Sequence, residues 1–407
     1  MRKKLGLALV AIGVLVLLWL GVAGVAWSRN RVPALALPAP ETMPAGNVYD
    51  EYVQCVSAVP AADQRMLDQY AAQGSLPLAT RQAILTRNSA LLSRFHGLIG
   101  RPCMVTTLEP GAQFVPAQQF PFLTLLVTLE SEAQRDKDPA HALDTFLDGL
   151  TFGEEIMRGG AFLHLNTSAI TTLPAFVRLP AVMPSLSAPL CEKGAARVRT
   201  LLENQYPLPK ILEHERLIRV KRLIALMESL SGQVLRFKIP TDSYAWQYMM
   251  RPKTAVLTSL DTYLANWAKE GEKPIYEVTP PAPPTGLEGI LADESLEPDA
   301  YAVPLYRYHY KKARLQLAYT GFLLEGYRKT HGQYPASLSE LGNDPYLTDP
   351  FSGKPFLYRR EGNSFVLYSV GPNGKDDGNA PEPPGRNFSI NRPSDIAFVP
   401  QFAAMRR

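Results

Sequence analysis

A membrane-anchored chain with an irregular all-α body and a small α+β module at its C-terminus is the architecture these 407 residues predict. Three observations predict it. An uncharged run, Leu5 to Trp27, opens the chain, and apolar residues then recur at helical spacing through most of the middle. Near the end, two short segments rich in aromatic and β-branched residues follow a long helical stripe. The expected divisions are 1–28 (anchor), 29–47 (proline-rich tether), 48–273 (helical body), 274–304 (second proline-rich linker) and 305–407 (α+β module).

The anchor comes first. At about 1.5 Å rise per residue, Leu5–Trp27 covers the ~30 Å hydrocarbon core of a bilayer. Arg2, Lys3 and Lys4 precede the run and favour an inside N-terminus. That orientation makes a single-pass inner-membrane protein with its bulk in the periplasm, against a small opposing bias from Arg29 and Arg31. The alternative is a cleaved signal peptide. Such peptides have apolar cores of roughly 7–15 residues, shorter than this run, and "GVAGVAWSRN" is a poor match to an A-x-A cleavage site. The tether that follows, "RVPALALPAPETMPAGN", is too rich in proline for a helix or a central strand.

Composition narrows the function classes. Length suffices for two cores, and 46% apolar with 20% charged residues is ordinary for a globular chain. A formal charge of +4, with basic residues scattered among acids, excludes a nucleic-acid footprint. Three cysteines, Cys55, Cys103 and Cys191, would meet an oxidising compartment in the exported orientation, with Cys55–Cys103 the candidate disulfide. No C-x-x-C spacing points to redox chemistry or zinc.

Within the body, "ATRQAILTRNSALLSRFHGLIG" places Ile84, Leu91, Leu92, Phe95 and Leu98 on one stripe. "DPAHALDTFLDGLTFGEEIMRGGAFLHLNTSAI" does the same, with Asp138–Pro139 as a helix start. "LPKILEHERLIRVKRLIALMESLSG" repeats Leu212, Ile218, Leu223, Leu226 and Leu230. Prolines between these segments punctuate the pattern. The stretch 274–304 reads as a linker or as an ordered strap across the body.

The module opens with a helix predicted over 305–329, striped by Tyr306, Tyr310, Ala313, Leu317, Leu324 and Tyr327. Gly332 ends it and Pro335 prevents its resumption. "SLSEL" offers Ser337 as a cap and Glu340 as its capping-box partner. "KPFLYRR" and "SFVLYSV" are strands, joined by "EGN" as a hairpin.

The order "GYRKTHGQYPASLSEL", "DPFSGKPFLYR", "FVLYSVGPNGKDDG" and "SDIAF" resembles the globular head of the major pseudopilins of type II secretion systems, over about a quarter of the chain. Similar modules occur on large membrane-anchored bacterial proteins. The resemblance implies a long helix carrying a small antiparallel sheet, and a calcium ion held by the loop after the last strand. Carried over by position, Asn373, Asp376, Asp377 and Asp395 are the implied ligands, with Asn373 where the family has Asp and Lys375 close by. Read from the residues alone, the same loop is an acidic turn closed by Asp side-chain hydrogen bonds. At the N-terminus the likeness stops: "MRKKLGLALVAIGVLVLL" lacks the peptidase site and glutamate of a pseudopilin stalk.

A search for catalytic constellations finds none complete. "HERLI" starts like a zincin helix, but Ile218 stands where the second histidine belongs, which makes His214 a surface residue of a charged helix. Glu154 and Glu155 are neighbours about 100° apart on a helix, expected at its surface and unable to pinch one substrate. Gly159 and Gly160 in "RGGAF" are expected to permit close packing, and "YRYHYKK" to be a packing face with a solvated flank. The expected function is therefore a non-enzymatic, membrane-anchored extracytoplasmic protein whose head serves binding or assembly. The alternatives are an extracytoplasmic enzyme whose site lies in the helical body, built from residues that spacing does not reveal and favoured by a pocket that joins Glu154 or Glu155 to a histidine, and an accessory component of a type II secretion system. Expected partners are the inner membrane through residues 5–27 and other membrane or secretion-system proteins.

Overall fold

Twelve helices and one three-stranded sheet make up the residues described by a computed structural model, namely 2–29, 31, 35, 41–106, 117–235, 253–284, 298–380 and 395–398. The first helix, α1 (Arg2–Arg29), has a mean hydropathy of 2.4 over Val10–Arg29 and is long and apolar enough to cross a membrane. Leu17 on it is 69% exposed, as befits a surface without a protein partner.

Four short helices follow because turn-forming residues cut the apolar pattern into pieces. α2 (Tyr49–Ala58) ends before Pro60, and α3 (Ala61–Gln73) ends at Gly74, whose left-handed φ of +79° lets its N–H cap Tyr70 O. α4 (Leu78–Arg87) and α5 (Ser89–His96) meet at Asn88. Their buried residues, among them Tyr52, Leu67, Ile84 and Phe95, converge on α6 (Phe120–Gln134) and form a first core.

α7 (Pro139–Glu155) starts where expected: the Asp138 carboxylate accepts the His141 N–H at 3.0 Å and Pro139 occupies the first turn. The helical pattern expected to run on to Ile170 is interrupted. The chain turns at Gly159, with φ +71°, where a Cβ would strike Met104, and resumes as α8 (Phe162–Val182). Pro174 and Pro180 lie inside α8 and do not end it. Each costs a helix about 3 kcal/mol, and burial of Ala175, Phe176, Leu179 and Val182 on both sides of them offsets that cost.

The remaining helices are α9 (Ala188–Glu203), α10 (Leu208–Leu235), α11 (Lys253–Glu270) and α12 (Pro298–His331). α12 begins before Leu305 and packs against both α8 and α9. Gly194 makes the α9 contact possible: a Cβ there would overlap the Phe322 ring. From Leu143 on α7 to Phe398, the second core takes in residues from both sides of the second proline-rich stretch. Within that stretch Ile275 is buried and Val278 packs on the same core.

The sheet lies on the C-terminal half of α12. β1 (Leu357–Glu361) pairs antiparallel with β2 (Ser364–Ser369), and β2 with β3 (Ile396–Ala397). Glu361 faces Ser364, which leaves Gly362 (φ +59°) and Asn363 as a two-residue turn. The short 3₁₀ turn Leu338–Leu341 is closed by Glu340, whose carboxylate accepts the Ser337 N–H at 3.2 Å.

One polar pair fastens α7, α8 and α12 together. Lys311, 1% exposed, points its ammonium at Glu154 Oε1 (2.9 Å) and donates to Ser168 Oγ (2.7 Å), with Met157 Sδ 3.5 Å away. Burial drives the Lys311 ammonium down and the Glu154 carboxylate opposes that shift. Lys311→Met leaves Glu154 buried and unpaired, and we expect urea denaturation of the full-length protein to show a loss of about 3–5 kcal/mol. The double variant Lys311→Met/Glu154→Leu should recover most of it, and no recovery would show that the pair is not the source of the loss.

Candidate functional site

The acidic turn after β2 is organised by carboxylates accepting N–H groups. Asp395, fully buried, accepts from the backbones of Asn379 (2.6 Å), Ala380 (3.2 Å) and Asp377 (3.3 Å). Burial raises its pKa, the three N–H groups work against that, and the nearby Asp377 charge adds to it. Asn373 donates its amide to Asp377 Oδ2 at 2.7 Å and accepts the Lys375 N–H. Asp376 is turned elsewhere, accepting from Tyr368 OH (3.0 Å) and Gly378 N (2.9 Å). Of the four implied ligands, Asn373, Asp377 and Asp395 are thus gathered and Asp376 is not. Asn379, which sequence reasoning missed, holds φ +60° and buries an Oδ1 with no donor among the described residues. No group of three or more His, Cys, Asp or Glu gathers as metal ligands among the described residues.

A second clasp, also missed, explains the "DPFSG" segment. Asp349, 1% exposed, accepts from Phe351 N (2.9 Å), Ser369 Oγ (2.8 Å) and Val370 N (2.9 Å). It ties that loop to the end of β2.

Elsewhere the structure corrects the expected surface residues. Glu154 and Glu155 are both buried and diverge: Glu154 faces Lys311, while Glu155 accepts from Tyr52 OH (2.6 Å) and Gly100 N (3.0 Å). His214 is also buried, stacked on Tyr206 with Nδ1 3.2 Å from Gly160 O. The charged positions of these helices alternate with core positions, so neighbours at the edge of a stripe are drawn inward. Cys55, Cys103 and Cys191 are buried free thiols, the first two in the same first core. Burial raises the pKa of each, that of Cys191 to about 11.

A polar concavity lies between body and module. A cleft of about 590 Å³ is floored by Tyr308, His309, Lys312 and Gln316 of α12. Its walls are the 207–209 turn, the 271–274 turn with Tyr276, and the 348–350 loop. His309 is 7% exposed, and no hydrogen bond reaches its ring among the described residues; burial, then the Lys312 charge, lower its pKa to about 3. Lys312 is shifted down by burial alone, with no anion to offset it. Gln316 donates to Thr348 O (2.9 Å), but its Oε1 is buried without a donor. "YRYHYKK" is therefore more than a packing face. The signal that could have shown it is the 3- and 4-residue spacing that puts His309, Lys312 and Gln316 on one stripe.

His96 is a further polar junction. It joins Asp148 through Nδ1 (2.7 Å) and Glu130 through Nε2 (3.0 Å), and Arg197 backs Asp148 at 3.0 Å. No protein-family model, curated protein or solved structure matches this chain.

Burial alone would lower the His96 pKa, but its two acidic partners outweigh that and raise it from 6.5 to about 9. A folded-state pKa above the unfolded one gives stability that is complete below 6.5 and lost as pH rises through 9. His96→Gln should therefore be less stable than wild type at pH 6 and show a smaller loss between pH 6 and about 9 in thermal melts. Parallel profiles for the two proteins would remove His96 as the titrating group.

Proposed function

We propose that this chain is an extracytoplasmic binding protein held to the inner membrane by α1, with a pseudopilin-like head on a helical body serving binding or assembly rather than catalysis. The observation that carries this reading is the fate of Glu154 and Glu155. An enzyme that paired one of these acids with a histidine would need it free, and both are spent on internal partners, Lys311 for one and Tyr52 with Gly100 for the other. The exposed apolar surface of α1 and the basic residues ahead of it support the orientation. Protease added to intact spheroplasts should digest the body and head. Their survival would place the bulk of the chain on the cytoplasmic side and end the reading.

The calcium role implied by the head is part of the same proposal. The residues fit such an ion at one point: the Asp377 charge stands close enough to make ionisation of Asp395 costlier, and Asn379 Oδ1 is an acceptor without a donor among the described residues. Those three would hold the ion, which would neutralise the turn and fasten it to β3. Saturating calcium, at a hundred times Kd, stabilises a folded protein by about 2.7 kcal/mol. The full-length protein in non-ionic detergent should melt higher in millimolar calcium than in chelator, and Asn379→Ala should lose most of that gain. Identical melts in calcium and chelator would remove the ion.

A further inference from the structure

The cleft between body and head is built as a binding site whose ligand the fold itself does not supply. Three polar side chains on its floor, Lys312, His309 and Gln316, are incompletely partnered among the described residues. Among the described residues Lys312 meets no counter-ion, His309 Nδ1 has no hydrogen bond although its ring packs on Tyr308 and Phe351, and Gln316 Oε1 has no donor. Leaving such groups dry and unpaired costs stability, and native cores avoid it except where a ligand completes them. The two carboxylates on the walls do not serve. Asp349 spends its oxygens on Phe351, Ser369 and Val370, and Glu272 is exposed at the rim. Lys273 at the mouth is already paired with Glu270 at 2.6 Å.

We propose that this cleft binds a small ligand carrying one carboxylate or phosphate group on a short apolar body. The anion meets the Lys312 ammonium and an N–H of His309, and a hydroxyl or amide of the ligand donates to Gln316 Oε1. The apolar body lies against the Tyr276 and Tyr308 rings and the proline turns of the walls. A volume of about 590 Å³ suits a molecule of this kind. Three wall segments come from the α10 start, the strap at 271–276 and the head, so occupation of the cleft joins body to head. This names the ligand class of the binding role proposed above and rests on it, while its test in detergent is indifferent to topology.

The experiment is isothermal titration of the full-length protein, in a non-ionic detergent, with hexanoate and separately with inorganic phosphate. One of the two should bind saturably at one per chain. Hexanoate alone assigns a carboxylate ligand, and phosphate alone a phosphoryl one. Lys312→Met and His309→Gln should each weaken that binding tenfold or more. Lys312→Met should also melt no lower than wild type, because it removes an uncompensated charge rather than a contact. A lower melting temperature would make Lys312 a structural residue and overturn the proposal. So would the absence of saturable binding of either probe, or equal binding by wild type and Lys312→Met.

Discussion

An ammonium group with no route to water dictates how this fold is assembled. Desolvating Lys311 costs several kcal/mol, and only an anion at close range with further hydrogen-bond acceptors makes the position tolerable. Glu154 on α7 and Ser168 on α8 meet that need together. Apolar packing alone leaves a helix free to slide by one turn at modest cost. A buried ion pair does not, because displacement separates the charges in a medium that screens them poorly. The register of α12 against α7 and α8 is therefore set at one point, and everything α12 carries is placed by it.

What it carries is the C-terminal module. Arg314, one turn beyond Lys311, donates to Ala397 O at 2.6 Å and so holds β3 against the helix. Gln316 donates to the loop before β1, and Tyr319 donates to Asp344 at 2.7 Å. Arg199 of α9 reaches the same Asp344 at 2.9 Å, which links body and head by a second, more exposed route. Within the module, loops rather than strands do most of the fastening. Asp349 and Asp395 each gather backbone N–H groups around a buried carboxylate, one before the sheet and one after β2. β3 is only two residues long, and the Asp395 clasp stands directly before it. A carboxylate with three N–H donors can stand in for the ladder bonds that so short a strand lacks.

How much of this was legible in the sequence depended on the range of the interaction. The start of α7 at Asp138–Pro139, the Glu340 capping of the 3₁₀ turn and the hairpin at Gly362–Asn363 are local, fixed by residues within four positions of one another, and were read correctly. The apolar helix α1 was legible for the same reason: its length and composition suffice. Glu154, Glu155 and His214 were assigned to the surface because charge ordinarily means solvent. Their partners, Lys311, Tyr52 and Gly160, lie 157, 103 and 54 positions away in the chain, by subtraction of residue numbers, and no periodicity announces them. The turn at Gly159 was missed likewise, since the residue it accommodates, Met104, belongs to another part of the chain. For the acidic turn, motif order located the carboxylates. It could not separate Asp376, which serves Tyr368, from Asp377, whose backbone N–H Asp395 accepts.

Two adjacent lysines on α12 make the physical distinction on which the site rests. Lys311 and Lys312 point about 100° apart, as successive helical residues must. The first turns into the body and is matched by a carboxylate, a hydroxyl and a thioether, so its charge is absorbed into the fold. The second turns toward the cleft, is half-buried, and finds no anion among the described residues, while the His309 ring next to it is held neutral by burial and by its charge. A chain that has compensated one buried lysine so completely shows that compensation was sterically attainable in this core. Leaving the neighbouring one open is therefore a property of the cleft and not of crowding. Placing that open charge where the α10 start, the 271–276 segment and the 348–350 loop meet puts it where a bound anion would touch all three.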